Sequence, residues 1–223
     1  MKRGRLVVVT GTGTEIGKTH VTEALLLALG RRGMAAAGIK PVESGVGQGT
    51  TDAERLRNAS SFHVKHAGVA LEAPISPHLA ARRQGIVLDV DALVAGVRAA
   101  LLGGPDLLVT ELPGGLFTPL SDDALNADFA AALAPDVLLL VAPDRLGVLH
   151  DVLATVRAAR AMNLRVDGIV LVAPERSDAS TETNALELAR ILPVPVLAIV
   201  PRGSVSTLAD GVAMAAVVRA LLP

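Results

Sequence analysis

A short apolar run that leads through a glycine-rich turn into a helical pattern is the feature that most constrains the fold of this chain. The run covers residues 6–10, and the turn continues through Gly11 and Gly13 to Gly17-Lys18-Thr19. In such a turn the backbone N–H groups and the helix start face an anion, the lysine adds positive charge, and the threonine hydroxyl can reach Mg²⁺. The order of strand, loop and helix therefore predicts a phosphate-binding loop.

The spacing of this loop differs from the strict phosphate-loop pattern. That pattern has a glycine five residues before Gly17, where this chain has Thr12, while Gly11 lies one position earlier and Gly13 lies inside the turn. A glycine-rich turn that only caps a helix is the alternative interpretation. The strand before the turn and the helix after it favour phosphate binding.

Apolar segments of strand length recur along the chain and are separated by longer helical patterns. Strands are predicted at 6–10, 35–41, 107–111, 136–142, 166–172 and 196–200, and helices at 19–32, 52–58, 90–102, 122–134, 147–162, 180–192 and 206–222. Strands without polar alternation, each followed by a helix, predict a parallel sheet covered on both faces. We therefore expect one α/β domain over residues 1–223, resembling P-loop NTPases, with ligands at the carboxyl ends of the strands.

Composition excludes several functions. The formal net charge is -1 and aromatic residues make up 1%, which argues against binding of nucleic acid by electrostatic attraction or base stacking. The chain has no cysteine, so it has neither disulfides nor thiolate metal sites. No apolar run is long enough for a signal peptide or a membrane span, and a cytoplasmic protein with no membrane partner is expected.

Charged residues follow three of the predicted elements and form a candidate site. Lys40 follows the second strand, Glu111 ends the third, and Asp52 opens a helix. Each could by itself be a solvated group at the end of an element. Together with Thr19, the two carboxylates predict a magnesium site, while Lys18 and Lys40 are the candidate catalytic cations. His63 and His66 have helical spacing but are assigned to a solvated face, since no third metal ligand is placed beside them.

At this point the chain resembles the dethiobiotin synthetase family, whose members are P-loop enzymes. Residues 5 to about 150 carry the similarity. The matching segments are Gly11–Thr19, the Lys40 segment Ala37–Gly45, Asp52, Pro74–His78, Gly114–Leu120 after Glu111, Ala127–Phe129, and Arg145–Gly147. The first two segments, when they occur together with the Glu111 region, are specific for this family.

The resemblance implies an ATP-dependent ligase that acts on 7,8-diaminononanoate and CO₂ to form dethiobiotin. It implies that Lys40 holds the carbamate and the transferred phosphoryl group, that Lys18 binds the β- and γ-phosphates, and that Thr19, Asp52 and Glu111 bind Mg²⁺. The implied nucleotide-binding residues are Gly13, Thr14, Glu15, Ile16, Gly17, Lys18, Thr19, His20, Asp52, Glu111, Gly114, Ala173, Pro174, Pro201, Arg202 and Gly203. The implied substrate contacts are Thr14, Ser44, Gly114, Leu146 and Gly147. The family further implies a homodimer with the site near the subunit interface.

Three departures from the family pattern concern the edges of this site. Pro113 replaces a residue with an N–H, which removes one phosphate donor. The segment Val148-Leu149-His150 lacks an asparagine that the family usually has there, so we expect its contacts with the substrate carboxylate to differ from those of the family. Ala173-Pro174 replaces the residues that often read adenine, so we expect relaxed base selectivity, or selection by backbone near Pro201–Gly203.

Three other interpretations remain open. An amide ligase related to cobyrinate amidation has the same nucleotide fold but usually adds a cysteine-containing glutaminase domain. Partitioning and cell-division ATPase switches carry an extra lysine where this chain has Gly13. A relative that has lost or changed its diamine substrate is the third, because of the departures described above.

Overall fold

Six parallel strands form the centre of the part of the chain that the computed structural model describes, residues 4–47 and 49–222. Their order across the sheet is β2-β5-β1-β6-β7-β8, and a separate parallel pair is formed by β3 and β4. The strands are β1 (Arg5–Gly11), β2 (Ala36–Ile39), β3 (Val42–Ser44), β4 (Val69–Leu71), β5 (Leu107–Glu111), β6 (Val137–Pro143), β7 (Gly168–Val172) and β8 (Val196–Val200). The predicted parallel sheet is confirmed.

Helices cover both faces of this sheet. They are α1 (Lys18–Gly30), α2 (Asp52–Ala59), α3 (Pro77–Gln84), α4 (Val90–Leu102), α5 (Asn126–Leu133), α6 (Val148–Ala161), α7 (Asn184–Ile191), α8 (Val205–Asp210) and α9 (Val212–Leu221). Leu6 and Val8 of β1 pack into one core, whereas Val7 and Val9 pack into the other. Successive side chains of a strand point to opposite faces, so an all-apolar strand supplies two cores at once.

The strand order reverses beside β1. In the sheet, β5 and β2 lie on one side of β1, and β6, β7 and β8 lie on the other side. Ligands of parallel α/β sheets bind where the order reverses, beyond the carboxyl ends of the strands. The topology therefore places the glycine-rich loop after β1 at the expected binding position.

The middle of the chain is more regular than the sequence predicts. None of the predicted strands and helices falls within residues 60–85, yet these residues contain β4 and α3. Pro77 lies in the first turn of α3, where its missing N–H costs no helical hydrogen bond. The predicted strand 35–41 is also wrong at its end, because β2 stops at Ile39 and β3 begins at Val42.

Several predicted helices have different bounds. The closing helix predicted at 206–222 is two helices, α8 and α9, because Gly211 has an extended ψ of 156°. The helices predicted from 122 and 180 begin only at Asn126 and Asn184. Of the two histidines assigned to a solvated face, His63 is exposed as expected, whereas His66 is half-buried, and both lie in an irregular segment.

None of the helices in the described residues combines the length and the hydropathy that a membrane crossing requires.

Candidate active site

A cavity of about 830 Å³ lies at the carboxyl ends of β1, β2 and β5. Its position agrees with the expected binding side of a parallel sheet. Many predicted site residues line it: Thr14, Glu15, Ile16, Gly17, Lys18, Thr19, His20, Lys40, Ser44, Asp52, Glu111 and Gly114. The fold thus collects residues that are up to about a hundred positions apart in the chain.

The loop from Gly11 to Thr19, here called the phosphate loop, is held by its neighbours. Gly17 has a φ of +92°, which side-chain-bearing residues rarely adopt. A Cβ atom at this position would lie 3.1 Å from Val172 Cγ1, so the loop packs closely on the end of β7. The N–H of Thr12 donates to Val141 O at 3.1 Å, which fixes the loop to β6.

Lys18 is the first residue of α1 and is buried at the base of the cavity. Its Nζ donates to the carbonyl of Gly13 at 2.8 Å, which places Gly13 beside the cavity although it does not line it. Burial is the largest cause that lowers the pKa of Lys18 to about 8; Lys40 lowers it further, and Glu111 and Asp52 partly oppose the shift. An anionic phosphate in the cavity would stabilise the charged ammonium.

Lys40 lies between two carboxylates. Its Nζ is 2.9 Å from Glu111 Oε1 and forms an ion pair with Asp52 Oδ2. Burial alone would lower the pKa of Lys40, but Glu111 and Asp52 together raise it above its usual value. Lys40 therefore carries its charge at neutral pH, where it can stabilise an anion.

Glu111 is fully buried and has an oxygen without a partner. Its Oε1 accepts from both Thr19 Oγ1 at 2.8 Å and Lys40 Nζ, whereas Oε2 has no hydrogen-bond partner among the described residues. A buried carboxylate oxygen without a partner is costly unless a ligand or cation completes it. Ser44 Oγ is likewise buried without a partner beside the cavity.

Asp52 is positioned by the start of α2. Thr51 and Glu54 form a capping box, with Glu54 N donating to Thr51 Oγ1 at 3.1 Å. The carboxylate of Glu43 also accepts from Asp52 N at 2.6 Å. Burial would raise the pKa of Asp52, but the Lys40 ammonium, the Thr19 hydroxyl and Arg55 hold it below its usual value.

Arg55 lines the cavity although no motif marked it. It contacts Asp52 on its own helix and Glu23 on α1. Its i+3 spacing from Asp52 is the signal that could have identified it. Glu43, which lies within the Lys40 segment, also lines the cavity, as do Gly45, Pro74, Ile75, Ser76, Pro77, Pro113, Thr118 and Pro119.

The loop after β5 is anchored on both sides. The buried Asn126 donates its Nδ2 to the carbonyls of Pro113 and Gly115, the latter at 2.9 Å. The N–H of Gly115 donates to Thr118 Oγ1 at 2.9 Å, and that of Leu116 donates to Gly11 O at 2.9 Å. These bonds attach the loop to α5 and to the phosphate loop.

Two groups of predicted residues lie outside this cavity. Ala173, Pro174, Pro201, Arg202 and Gly203 follow β7 and β8 and do not line it. The N–H of Ala173 donates to Val200 O at 2.9 Å, and Arg202 lies 3.3 Å from Glu175. Leu146 is 80% exposed, and Gly147 has a φ of +97° before α6. Their assigned roles stay predictions.

The donors in the cavity suit a hard cation and a phosphate. Within residues 4–47 and 49–222, no cluster of three or more His, Cys, Asp or Glu side chains forms a metal site. One hydroxyl and two carboxylates, from Thr19, Asp52 and Glu111, form instead the kind of partial ligand set that Mg²⁺ completes with water and phosphate oxygens. The two lysines add positive charge for phosphoryl transfer.

Comparison with known proteins agrees with the family resemblance found in the sequence. Residues 5–208 match the family described as AAA domain. The ATP-dependent dethiobiotin synthetase BioD of Rhodopirellula baltica is 37% identical over 217 residues, covering 89% of this chain and 85% of the relative. The protein of the same name from Ralstonia nicotianae is 38% identical over 202 residues, covering 87% of each chain.

A solved structure shows the same fold at lower identity. The MinC:MinD cell division protein complex of Aquifex aeolicus contains a chain with a TM-score of 0.61 and 13% identity, covering 98% of this chain and 96% of that one. At this identity the likeness concerns the fold alone.

Proposed function

This chain belongs to the ATP-dependent dethiobiotin synthetase family, and from that membership we propose that it closes the ureido ring of dethiobiotin in the cavity described above. The observation that carries the proposal is the meeting of the phosphate loop with Lys40, Glu111 and Asp52 in that cavity. A phosphate loop alone predicts only nucleotide binding. A second buried lysine adds a charge where a carbamate and a phosphoryl group would react.

The reaction has three steps that need positioning and charge more than a strong base. One amine of 7,8-diaminononanoate bonds to the carbon of CO₂ and loses a proton, giving a carbamate. A carbamate oxygen attacks the γ-phosphorus of ATP, and ADP leaves. The second amine attacks the carbamoyl carbon and loses its proton, while the C–O bond breaks and inorganic phosphate leaves.

Lys40 and Lys18 have different tasks in this proposal. Lys40, held charged by Glu111 and Asp52, neutralises the carbamate and the phosphoryl group in transfer. Lys18, at the start of α1, binds the β- and γ-phosphates, and phosphate oxygens replace its contact with the Gly13 carbonyl. Phosphate binding then raises its depressed pKa.

We assign Mg²⁺ binding to Thr19, Asp52 and Glu111. The buried Glu111 supports this assignment, because its Oε2 has no partner among the described residues while its Oε1 accepts from the Thr19 hydroxyl and shares the Lys40 ammonium with Asp52. When bound, Mg²⁺ would neutralise charge on the phosphates. The Thr19 hydroxyl and the Lys40 ammonium orient the two carboxylates.

Substrate contacts complete the proposal. Ser44 Oγ, buried without a partner at the cavity, is available to a diamine nitrogen, and Thr14 and Gly114 line the same cavity. We propose that residues 1–223 act as one domain and that two copies form a homodimer, with the exposed Leu146 and Gly147 receiving the substrate carboxylate across the interface. Light scattering should then give twice the 22.8 kDa of one chain, and a monomer at working concentration would contradict the dimer.

One assay tests the function. Purified protein receives Mg²⁺, ATP and bicarbonate, and phosphate release is measured with and without 7,8-diaminononanoate, together with dethiobiotin by mass spectrometry. We expect release that depends on the diamine and equals the dethiobiotin formed. ATP hydrolysis at the same rate without the diamine would overturn the proposal and favour a switch ATPase.

A further inference from the structure

Arg55 joins the two helices that carry Thr19 and Asp52, two of the three proposed cation ligands. Its Nε and Nη2 contact the two carboxylate oxygens of Glu23 at 3.2 and 2.5 Å. Its Nη1 lies 3.4 Å from Asp52 Oδ1. Glu23 lies on α1 and Asp52 on α2, so one guanidinium bridges both helices.

The positions of Glu23 and Arg55 along their helices place the bridge next to two proposed cation ligands. Glu23 follows Thr19 by four residues, and Arg55 follows Asp52 by three, so each member lies one turn from a proposed ligand. A two-point contact with Glu23 fixes the plane of the guanidinium, because its donors have a rigid fork geometry. The remaining nitrogen, Nη1, is thereby directed at Asp52.

Asp52 needs such an orientation because it has two cationic neighbours. Its Oδ2 pairs with Lys40, and its Oδ1 faces Arg55. Without Arg55, the carboxylate could turn to follow the Lys40 ammonium. The Arg55 contact on the opposite oxygen limits this rotation, as partners of metal-ligating carboxylates do in other metal sites.

We propose that Arg55, held by its two-point contact with Glu23, is a positioning residue that fixes the orientation of the Asp52 carboxylate for binding of the catalytic cation. The inference rests on the proposed function, because it concerns the cation site of the same cavity. It assigns Arg55 no direct contact with the nucleotide or the cation. Glu23 acts through Arg55, and Arg55 acts through Asp52.

The first test measures cation binding without turnover. Bound Mn²⁺ is counted by electron paramagnetic resonance in protein saturated with a non-hydrolysable ATP analogue. Arg55→Ala and Glu23→Gln should each weaken Mn²⁺ binding by about tenfold or more. Arg190→Ala is the matched control, since it removes an exposed arginine that pairs with Glu187 at 2.5 Å, remote in sequence from both helices. Unchanged Mn²⁺ affinity in Arg55→Ala would overturn the inference.

A charge exchange separates positioning from simple helix attachment. The double variant Glu23→Arg/Arg55→Glu can restore the ion pair between α1 and α2, but it places a carboxylate beside Asp52. We expect its melting temperature to recover relative to Arg55→Ala while Mn²⁺ affinity stays weak. Recovery of both quantities would show that the bridge only attaches the helices, and would overturn the inference.

Metal-free binding tests whether Arg55 touches the nucleotide. In EDTA, calorimetry should give the same analogue affinity for the wild-type protein and for Arg55→Ala. An equal loss of affinity with and without metal would show direct phosphate contact and overturn the inference. Failure of the proposed function is distinguishable, because it appears as absent diamine-dependent phosphate release in the wild-type protein, whatever the Mn²⁺ results.

Discussion

The ammonium of Lys40 lies 2.9 Å from Glu111 Oε1, although 71 positions separate the two residues. The register of the sheet explains this proximity, because Ile39 of β2 pairs with Thr110 of β5 and the next residue of each chain segment carries the charge. Both side chains are buried, Glu111 completely. The pair is therefore at once a structural ion pair and the centre of the proposed reaction.

Replacing Lys40 should separate these two roles. Lys40→Met leaves the buried Glu111 carboxylate without its lysine, so we expect a loss of about 3 kcal/mol in the free energy of unfolding. Phosphate release should fall by at least about 100-fold. Urea denaturation and the diamine-dependent phosphate assay measure the two effects.

The double variant Lys40→Met/Glu111→Gln is the control for this prediction. It removes both charges, so most of the lost stability should return while activity stays absent. A double variant that is no more stable than Lys40→Met would contradict the ion-pair explanation.

Two glycines of the phosphate loop should respond differently to alanine. Gly17→Ala forces a Cβ into a positive-φ residue and to within 3.1 Å of Val172, so about 2 kcal/mol of stability should be lost together with nucleotide binding. Gly13→Ala meets no atom within 4 Å, and its free energy of unfolding should stay at the wild-type value. Chemical denaturation of both variants measures this, and equal losses would contradict it.

Base selectivity is expected to be low. Ala173-Pro174 offers no side-chain hydrogen bonds to adenine, and a site without such groups rejects other bases weakly. CTP and GTP should therefore support phosphate release with kcat/KM within about tenfold of ATP. A steady-state preference for ATP above about a thousandfold would disprove this expectation and favour selection by backbone near Pro201–Gly203.

Stability should fall in mild acid because of His66. Burial is the main cause that lowers the pKa of His66 below 6.5, and the backbone of Gly96 partly opposes it. The unfolded chain therefore takes up this proton more readily, so the contribution is complete above pH 6.5 and is lost as pH falls toward the folded pKa. His66→Phe should lessen the decrease in unfolding free energy between pH 7 and 5, measured by urea denaturation.

His63 is the control for this pH dependence, because it is exposed in the same segment. His63→Gln should keep the wild-type pH profile. A wild-type profile in His66→Phe would show that other groups cause the acid sensitivity.

The sequence predicted those parts of the site that depend on one segment at a time. The phosphate loop follows from a strand, its glycines and a helix, and Lys40 and Glu111 follow from the ends of apolar runs. Their contact could not be predicted from these runs, because the adjacency of β2 and β5 is a property of the sheet order. The rule that ligands bind beyond the carboxyl ends of parallel strands placed both residues in one candidate site, and the resemblance to a known family supported that grouping.

Contacts between helices were the part that the sequence could not predict. The bridge from Glu23 to Arg55 depends on how α1 packs against α2, and no local pattern encodes that packing. The prediction of a single closing helix was wrong for another reason. The apolar period continues through Gly211, although the backbone turns there. Pro77 shows that a proline can begin a helix as well as end one.

The bonds that Asn126 makes to the loop after β5 have a consequence for the thermodynamics of binding. A loop already attached to α5 and to the phosphate loop loses its conformational freedom when the chain folds, not when the nucleotide arrives. Ligand binding then carries a smaller entropic penalty and a heat-capacity change that reflects only the surface covered by the ligand. The loop after β5 is therefore already ordered in the folded chain before any ligand binds.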